Sequence, residues 1–193
     1  DGAIKPNSGT VYLNGNRIDQ LQPFEVARHG LGRTFQVTRS FRRMTVLENL
    51  LVPALALDQG LSRPEIHDKA MEVLEFLTVD HLRNEFAKSL SGGQQKLLEL
   101  GRLLMLNPDV IILDEPFAGV HPKLMEIIYK YIERVNNDGT AIILISHQMD
   151  SIFSLCKRLL VLNYGDLIAD GTPEMVKNDP TVIEAYLGVD EED

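Results

Sequence analysis

Two short, uninterrupted apolar runs constrain the fold of this chain more than any other feature. Residues 110–113 read VIIL and residues 141–145 read AIILI, and a helical pattern at 122–136 separates them. Continuous apolar runs of this length are typical of strands that are buried on both faces of a parallel sheet. The strand–helix–strand order therefore predicts an α/β fold with right-handed crossovers.

Polar residues follow both of these predicted strands. Asp114 and Glu115 end the first run, and Ser146 and His147 follow the second. Ligands of parallel sheets bind at the carboxyl ends of the strands. One carboxylate there can hold Mg²⁺, its neighbour can orient an attacking water, and a histidine can donate to a phosphate. The alternative is a solvated acidic turn and a structural histidine.

A Ser-Gly-Gly turn opens another predicted helix. Ser91 can cap the helix, and Gly92 and Gly93 leave the backbone N–H groups open to close approach by a phosphate. The helix dipole adds partial positive charge at the same point. This segment is therefore a candidate anion site, with an ordinary capped helix as the alternative.

Residues 45–106 are predicted to be all-helical. The sequences TVLE at 45–48 and SRPE at 62–65 are capping boxes that start two of the helices. The stretch 33–44 has no clean period and is interpreted as a loop. It carries Gln36, which on its own would be an ordinary solvated side chain.

Shorter elements are predicted on either side of these segments. Asn14-Gly15 between apolar residues indicates a type I′ hairpin. The pattern further predicts helices at 23–29, 151–157, 173–177 and 182–186, a buried strand at 159–162, and a strand at 167–169.

Composition narrows the functional classes. The net charge of −9 argues against a nucleic-acid-binding surface, and no apolar run approaches the ~20 residues needed to cross a bilayer. The single Cys156 excludes a disulfide within the chain and fits a reducing compartment.

In order and spacing, these motifs resemble those of ATP-binding cassette (ABC) ATPases. Gln36 stands where that family has its Q-loop glutamine, LSGGQ at 90–94 matches the signature, LDEP at 113–116 matches Walker B, and His147 matches the switch histidine. The resemblance implies a P-loop NTPase-like parallel sheet, an inserted all-helical signature subdomain and a small N-terminal antiparallel β element. It divides the chain into residues 1–36, 37–106 and 107–193.

The resemblance also implies roles for these residues, with ATP and Mg²⁺ as cofactors. Glu115, His147 and Gln36 would be catalytic, and Asp114 and Gln36 would serve the metal. Two such subunits would pair head to tail, each signature acting on the nucleotide of its partner. The residues expected to contact nucleotide are Ser91, Gly92, Gly93, Gln94 and Asp114.

Other segments resemble the ATPases of branched-chain amino-acid importers. These are RTFQ at 33–36, FRRMTVLENL at 41–50, GTPE at 171–174 and AYLG at 185–188. The resemblance implies permease subunits that dock near Met44, a substrate-binding protein as an indirect partner, and a place in the cytoplasm at the inner face of the membrane. Lipopolysaccharide-export ATPases, which share PFAGV at 116–120, and a nucleotide-free regulatory subunit are the alternatives.

The sequence departs from the family pattern at three places. No GxxxxGK[ST] phosphate loop occurs, so we expect a chain that lacks the N-terminal strand and loop and holds ATP poorly by itself. His121 stands where the family usually has Asp or Asn. Lys96 stands in a region after the signature where Arg is frequent, which is a mild change.

Overall fold

The computed structural model describes residues 1–35, 39–57 and 60–187. The chain forms two compact units, residues 1–147 and 148–193. The three-part division at residues 36 and 106 stays a prediction. Within the described ranges, none of the helices combines the length and apolar character needed to cross a bilayer.

The first unit begins with the predicted hairpin. Strands β1 (Tyr12–Leu13) and β2 (Asn16–Arg17) pair antiparallel. The two turn residues, Asn14 and Gly15, have φ values of 49° and 78°. Positive φ at both central positions is what a type I′ turn requires, and the prediction of this turn is confirmed.

A three-stranded parallel sheet forms the centre of this unit. Its order is β3 (Leu31–Arg33), β4 (Val110–Asp114) and β5 (Ala141–Ile145), and helix α1 (Pro23–Arg28) precedes β3. The sequence analysis missed β3, because three residues with a central glycine show no strand pattern. A Cβ on Gly32 would lie 2.9 Å from Leu103 Cδ2, so the glycine lets a helix approach the strand closely.

The prediction that both apolar runs are buried on both faces is only partly right. Ile111 and Leu113 of β4 are fully buried. On β5, Ile143 and Ile145 are 51% and 47% exposed. The prediction is wrong for β5, because this strand is the edge of the sheet in the described part of the chain and one of its faces is not covered there.

Residues 45–106 are helical, as predicted, over the described positions. The helices are α2 (Val46–Ala56), α3 (Arg63–Phe76) and α4 (Gly92–Leu106), and short 3₁₀ turns at Asp80–Leu82 and Ala87–Ser89 lie between α3 and α4. Both predicted capping boxes are present, at Thr45 and Ser62. Helix α5 (Pro122–Asn137) connects β4 to β5.

The second unit is described by itself. Helix α6 (Met149–Leu155) leads into β6 (Leu159–Asn163), which pairs antiparallel with β7 (Asp166–Gly171). Helices α7 (Pro173–Lys177) and α8 (Pro180–Leu187) follow. The expectation of a buried strand at 159–162 is wrong in part: Leu160 and Leu162 are exposed, since alternate residues of an antiparallel strand point to opposite faces.

A buried amide holds the start of the helical segment. Asn49 of α2 is fully buried. Its Nδ2 donates to the carbonyls of Phe41 (3.1 Å) and Thr45 (2.9 Å), and its Oδ1 accepts from the N–H of Phe41 (2.8 Å). One side chain thus fixes the entry of the chain into α2.

We expect Asn49→Ala to lower the free energy of unfolding by about 3 kcal/mol, because it leaves several buried backbone groups without partners. Urea denaturation measures the change. Glu75→Ala, at an exposed position of α3, is the matched control and should change stability by less than about 0.5 kcal/mol. A loss at Asn49 no larger than the control would contradict the assignment.

Candidate functional site

A left-handed residue turns the chain at the end of β4. Asp114 is the last residue of the strand, and Glu115 has a φ of 48°. Its N–H donates to the carbonyl of Ile145 at 2.9 Å, which extends the pairing with β5 by one residue. Left-handed backbone is unfavourable for a residue with a Cβ, by roughly 1 kcal/mol. The pairing holds Glu115 in this conformation and aims its side chain at the residues that follow β5.

Glu115 and His147 are in direct contact. His147 Nδ1 lies 2.9 Å from Glu115 Oε1, and the His147 N–H donates to the same oxygen at 3.1 Å. Ser146 Oγ donates to Oε2 at 3.3 Å. The Glu115 side chain is 16% exposed and that of His147 is 73% exposed. The carboxylate is therefore enclosed, while the imidazole presents its other edge to the outside.

Asp114 is held by a different set of partners. Arg33 Nη2 donates to Asp114 Oδ2 at 3.0 Å, and Arg33 Nη1 donates to Asp1 Oδ2 at 2.6 Å. The Asp114 N–H donates to Oγ1 of the buried Thr34 at 2.9 Å. The adjacent carboxylates therefore have separate partners: Asp114 bonds to Arg33, and Glu115 bonds to Ser146 and His147.

The carboxylates suit Mg²⁺ by their chemistry. Hard carboxylate oxygens are the ligands that Mg²⁺ takes, usually one or two of them with waters and phosphates. Within residues 1–35, 39–57 and 60–187, no group of three or more His, Cys, Asp or Glu is arranged to hold a metal. Gln36, the other predicted metal ligand, lies outside the described residues.

The predicted anion site lies at the start of α4. Ser91 caps the helix: its Oγ accepts from the N–H of Gln94 at 3.4 Å, and Gln94 Oε1 accepts from the N–H of Ser91 at 2.9 Å. A Cβ on Gly93 would lie 2.4 Å from Leu124 Cδ1. A Cβ on Gly92 would meet nothing within 4 Å. Packing within the chain explains Gly93 but not Gly92, whose bare backbone is open to a ligand from outside.

Two buried residues of α4, Lys96 and Glu99, bond to the backbone of Glu115 and Phe35. The sequence analysis did not assign either of them to the site. Lys96 is 5% exposed, and its Nζ donates to the backbone carbonyl of Glu115 at 2.7 Å. Glu99 is 7% exposed, and its Oε1 accepts from the N–H of Phe35 at 3.2 Å. The available signal was a charged residue at every third position of an otherwise apolar helix face.

Burial changes the acid–base behaviour of both residues. It raises the pKa of Glu99 from 4.5 to about 7, against the opposing effects of the Phe35 N–H and of Lys96. It also lowers the pKa of Lys96. Burial therefore disfavours the charged form of both side chains.

His121 has a structural role at the start of α5. Its Nδ1 accepts from the N–H of Lys123 at 3.3 Å, so it caps the helix as Asp or Asn would. His121, although it departs from the family pattern, therefore still provides a side-chain acceptor at the start of α5.

Asp114 and Glu115 are half-buried at the end of β4. Two cavities, of about 330 Å³ and about 920 Å³, lie elsewhere in the first unit, and neither is lined by these two carboxylates.

Comparison with known proteins decides the family. A family model described as "ABC transporter" matches residues 1–118, and one described as "Branched-chain amino acid ATP-binding cassette transporter" matches residues 167–192. The chain belongs to the ABC transporter ATP-binding proteins. The predicted family and fold class are thereby confirmed, including the parallel sheet with a helical segment and small antiparallel strands.

Curated members of this family are similar over nearly the whole chain. A probable branched-chain amino acid transport ATP-binding protein, LivG, of Archaeoglobus fulgidus is 35% identical over 97% of this chain and 77% of the relative. The high-affinity LivG of Escherichia coli K12 is 37% identical over 97% and 79%. The lipopolysaccharide export protein LptB of Haemophilus influenzae is 35% identical over 97% and 77%.

Solved structures of ABC cassettes share the fold. The ADP conformation of the cassette MJ1267 is 36% identical, with a TM-score of 0.81 over 97% of this chain and 80% of that one. A nucleotide-free cassette gives 36% identity and a TM-score of 0.80 over 96% and 79%. Membership of this ABC family implies that the chain acts in nucleotide binding.

We expect the stability difference between Glu99→Gln and the unchanged protein to depend on pH. Below about pH 4 the carboxyl is protonated in both folded and unfolded chains. As the pH rises through 4.5 towards about 7, the unfolded chain ionises while folded Glu99 resists, so the unchanged protein loses stability. The Glu99→Gln variant avoids this loss. By about pH 8 its free energy of unfolding should have risen, relative to that of the unchanged protein, by at most about 3 kcal/mol.

Urea denaturation at a series of pH values measures this difference. Glu72→Gln, at an exposed position of α3, is the matched control and should give a difference that stays flat. A flat profile for Glu99→Gln would show that the carboxyl is not held out of water.

Proposed function

We propose that this chain belongs to the ATP-hydrolysing subunit of an ABC importer for branched-chain amino acids, and that hydrolysis also requires the phosphate loop, a motif that residues 1–193 do not contain. The observation that carries the enzymatic part is the contact between the left-handed Glu115 and His147 at the ends of two parallel strands. The similarity to LivG proteins of archaea and bacteria and the family match at residues 167–192 support the substrate class.

Glu115 would orient the attacking water and accept its proton. Its carboxylate is enclosed and fixed by donors from Ser146 and His147, which is the pre-organisation that a general base needs. His147 would donate to the terminal phosphate from its exposed edge while Nδ1 stays on Glu115.

Asp114 would hold Mg²⁺, and Gln36 would contact the metal or the attacking water. When bound, the ion neutralises charge on the phosphates. Asp114 would reach it by sharing or releasing its ion pair with Arg33, which lies 3.0 Å away. Arg33 is then free to balance charge nearby.

Ser91, Gly92, Gly93 and Gln94 would contact a nucleotide held by a second subunit. The open space at Gly92 supports this role, because nothing within the chain requires a glycine there. A relative at 25% identity and a TM-score of 0.79 is described as a dimeric post-hydrolysis state bound to ADP and Pi. We propose a head-to-tail pair in which each signature faces the partner's nucleotide.

Permease subunits would keep the chain at the cytoplasmic face of the membrane. The cavity of about 330 Å³ in the first unit is lined by apolar side chains together with charged ones, among them Arg39, Glu99 and Arg102, a mixture that suits a short polypeptide segment. Pro53 of α2 also lines it. A substrate-binding protein would act through the permease.

An export function is the second candidate, since LptB of Haemophilus influenzae is 35% identical to this chain. The two functions are separated by joining the chain to an upstream segment that carries a phosphate loop, assembling it with permease subunits of a branched-chain amino-acid importer, and measuring ATP hydrolysis and uptake of radiolabelled leucine. ATP-dependent leucine uptake supports the importer. Hydrolysis that responds to lipopolysaccharide and not to amino acid would overturn it, and no hydrolysis at all would favour a regulatory subunit.

We expect Glu115→Gln to lower kcat by ~10²–10⁴ while nucleotide binding is retained, because only the proton acceptor is lost. Phosphate release in the assembled transporter measures kcat. Glu133→Gln, at an exposed position of α5, is the control and should hydrolyse ATP normally. Near-normal turnover by Glu115→Gln would refute the role of the carboxylate.

We expect Gly92→Glu to fold normally and to lose ATP hydrolysis. The added side chain meets open space, and a carboxylate in the first turn is favourable for the helix dipole by ~0.3–1 kcal/mol. The same charge would repel a phosphate. Arg63→Glu places a carboxylate in the exposed first turn of α3 and should leave hydrolysis unchanged. Retained hydrolysis with Gly92→Glu would exclude a phosphate from this helix end.

A further inference from the structure

Helix α4 carries three charged side chains at successive third positions: Lys96, Glu99 and Arg102. Each one bonds to backbone outside the helix. Lys96 Nζ donates to the Glu115 carbonyl at 2.7 Å, and Glu99 Oε1 accepts from the Phe35 N–H at 3.2 Å. Arg102 Nη1 donates to the Arg39 carbonyl. We call these three residues the polar row of α4.

Stability alone does not account for the polar row. Lys96 and Glu99 are buried, and Glu99 Oε2 and Arg102 Nε are buried atoms without a hydrogen-bond partner among the described residues. Apolar side chains of similar volume commonly pack at such positions with equal or greater stability. The row therefore costs stability and has to be explained by what it holds.

The row holds the two segments on which hydrolysis depends. At the N-terminal end of the row, Lys96 donates to the carbonyl of Glu115. The left-handed backbone of Glu115 sets the direction of its side chain, the proposed hydrolytic carboxylate. Further along, Glu99 and Arg102 bond to Phe35 and Arg39, the described residues on either side of the segment that contains Gln36. The helix that makes these bonds begins at the signature itself.

We propose that Lys96, Glu99 and Arg102 are positioning residues that couple the signature to the chain's own hydrolytic carboxylate. The inference rests on the function proposed above. A nucleotide that contacts Ser91 would fix α4, and the polar row would transmit that position to Glu115 and to the Phe35–Arg39 backbone. In a head-to-tail pair, the nucleotide at one site would in this way adjust hydrolysis at the other.

The first test separates positioning from simple packing in the assembled transporter. Lys96→Met keeps the apolar stem but removes the donor, and Lys96→Arg restores a donor. We expect Lys96→Met to lower kcat by about 10- to 100-fold with KM changed less than about threefold, since a misplaced group costs rate rather than binding. Lys96→Arg should recover most of kcat, and Lys130→Met, at an exposed position of α5, should match the unchanged protein.

Glu99 provides a second, independent pair of variants. Glu99→Gln keeps an acceptor for the Phe35 N–H and should retain kcat within about threefold, whereas Glu99→Leu should lower it by about tenfold or more. Thermal unfolding confirms that each variant is folded. This pair decides the question if Lys96→Met fails to fold.

A double-mutant cycle tests the coupling itself. If the row transmits the contact at Ser91, the loss of kcat in Ser91→Ala with Lys96→Met will be smaller than the product of the two single losses. Losses that multiply, or a Lys96→Met variant with normal kcat, would overturn the inference. An unchanged protein without ATP hydrolysis would instead refute the proposed function.

Discussion

The parallel pairing of β4 with β5 is the constraint on which the candidate site depends. It runs in register from Val110 with Ala141 to Asp114 with Ile145, and the Glu115 N–H extends it by one bond. Because parallel strands end at the same edge, the residues after both strands must meet. A slip of one residue would turn Glu115 to the opposite face and separate it from His147.

Helix α4 is the second constraint, because it belongs to two environments at once. Its start is exposed, and a Cβ on Gly92 would meet nothing within 4 Å. Its middle is buried, with Leu97, Leu98 and Leu100 almost wholly covered. There Lys96 donates to the backbone carbonyl of Glu115. The helix is continuous from Gly92 to Leu106, which is why we propose that a ligand at its start would affect the groups bonded along it.

The sequence predicted the parts that depend on strong local patterns. The apolar runs predicted β4 and β5, and the capping boxes predicted the starts of α2 and α3. The polar residues were predicted to follow the two strands, but the contact between Glu115 and His147 was not predicted. Strand β3 was missed because its stability comes from pairing with β4 and from the close approach of Leu103, neither of which leaves a pattern in three residues. The burial of β5 was overestimated because sequence hydrophobicity does not reveal which strand is an edge.

The charge balance around the carboxylates determines which ligand they can accept. The Arg33 guanidinium balances the charge of Asp114, while Glu115 is held by hydrogen bonds to His147 and Ser146. A polyphosphate anion without a cation of its own would be repelled by the Glu115 carboxylate. If Asp114 holds Mg²⁺ as proposed, a nucleotide that arrives with its own divalent cation would replace the Arg33 pairing at Asp114 and release the guanidinium towards its phosphates. On the proposed function, this strand end would then favour a metal–nucleotide complex over the nucleotide alone.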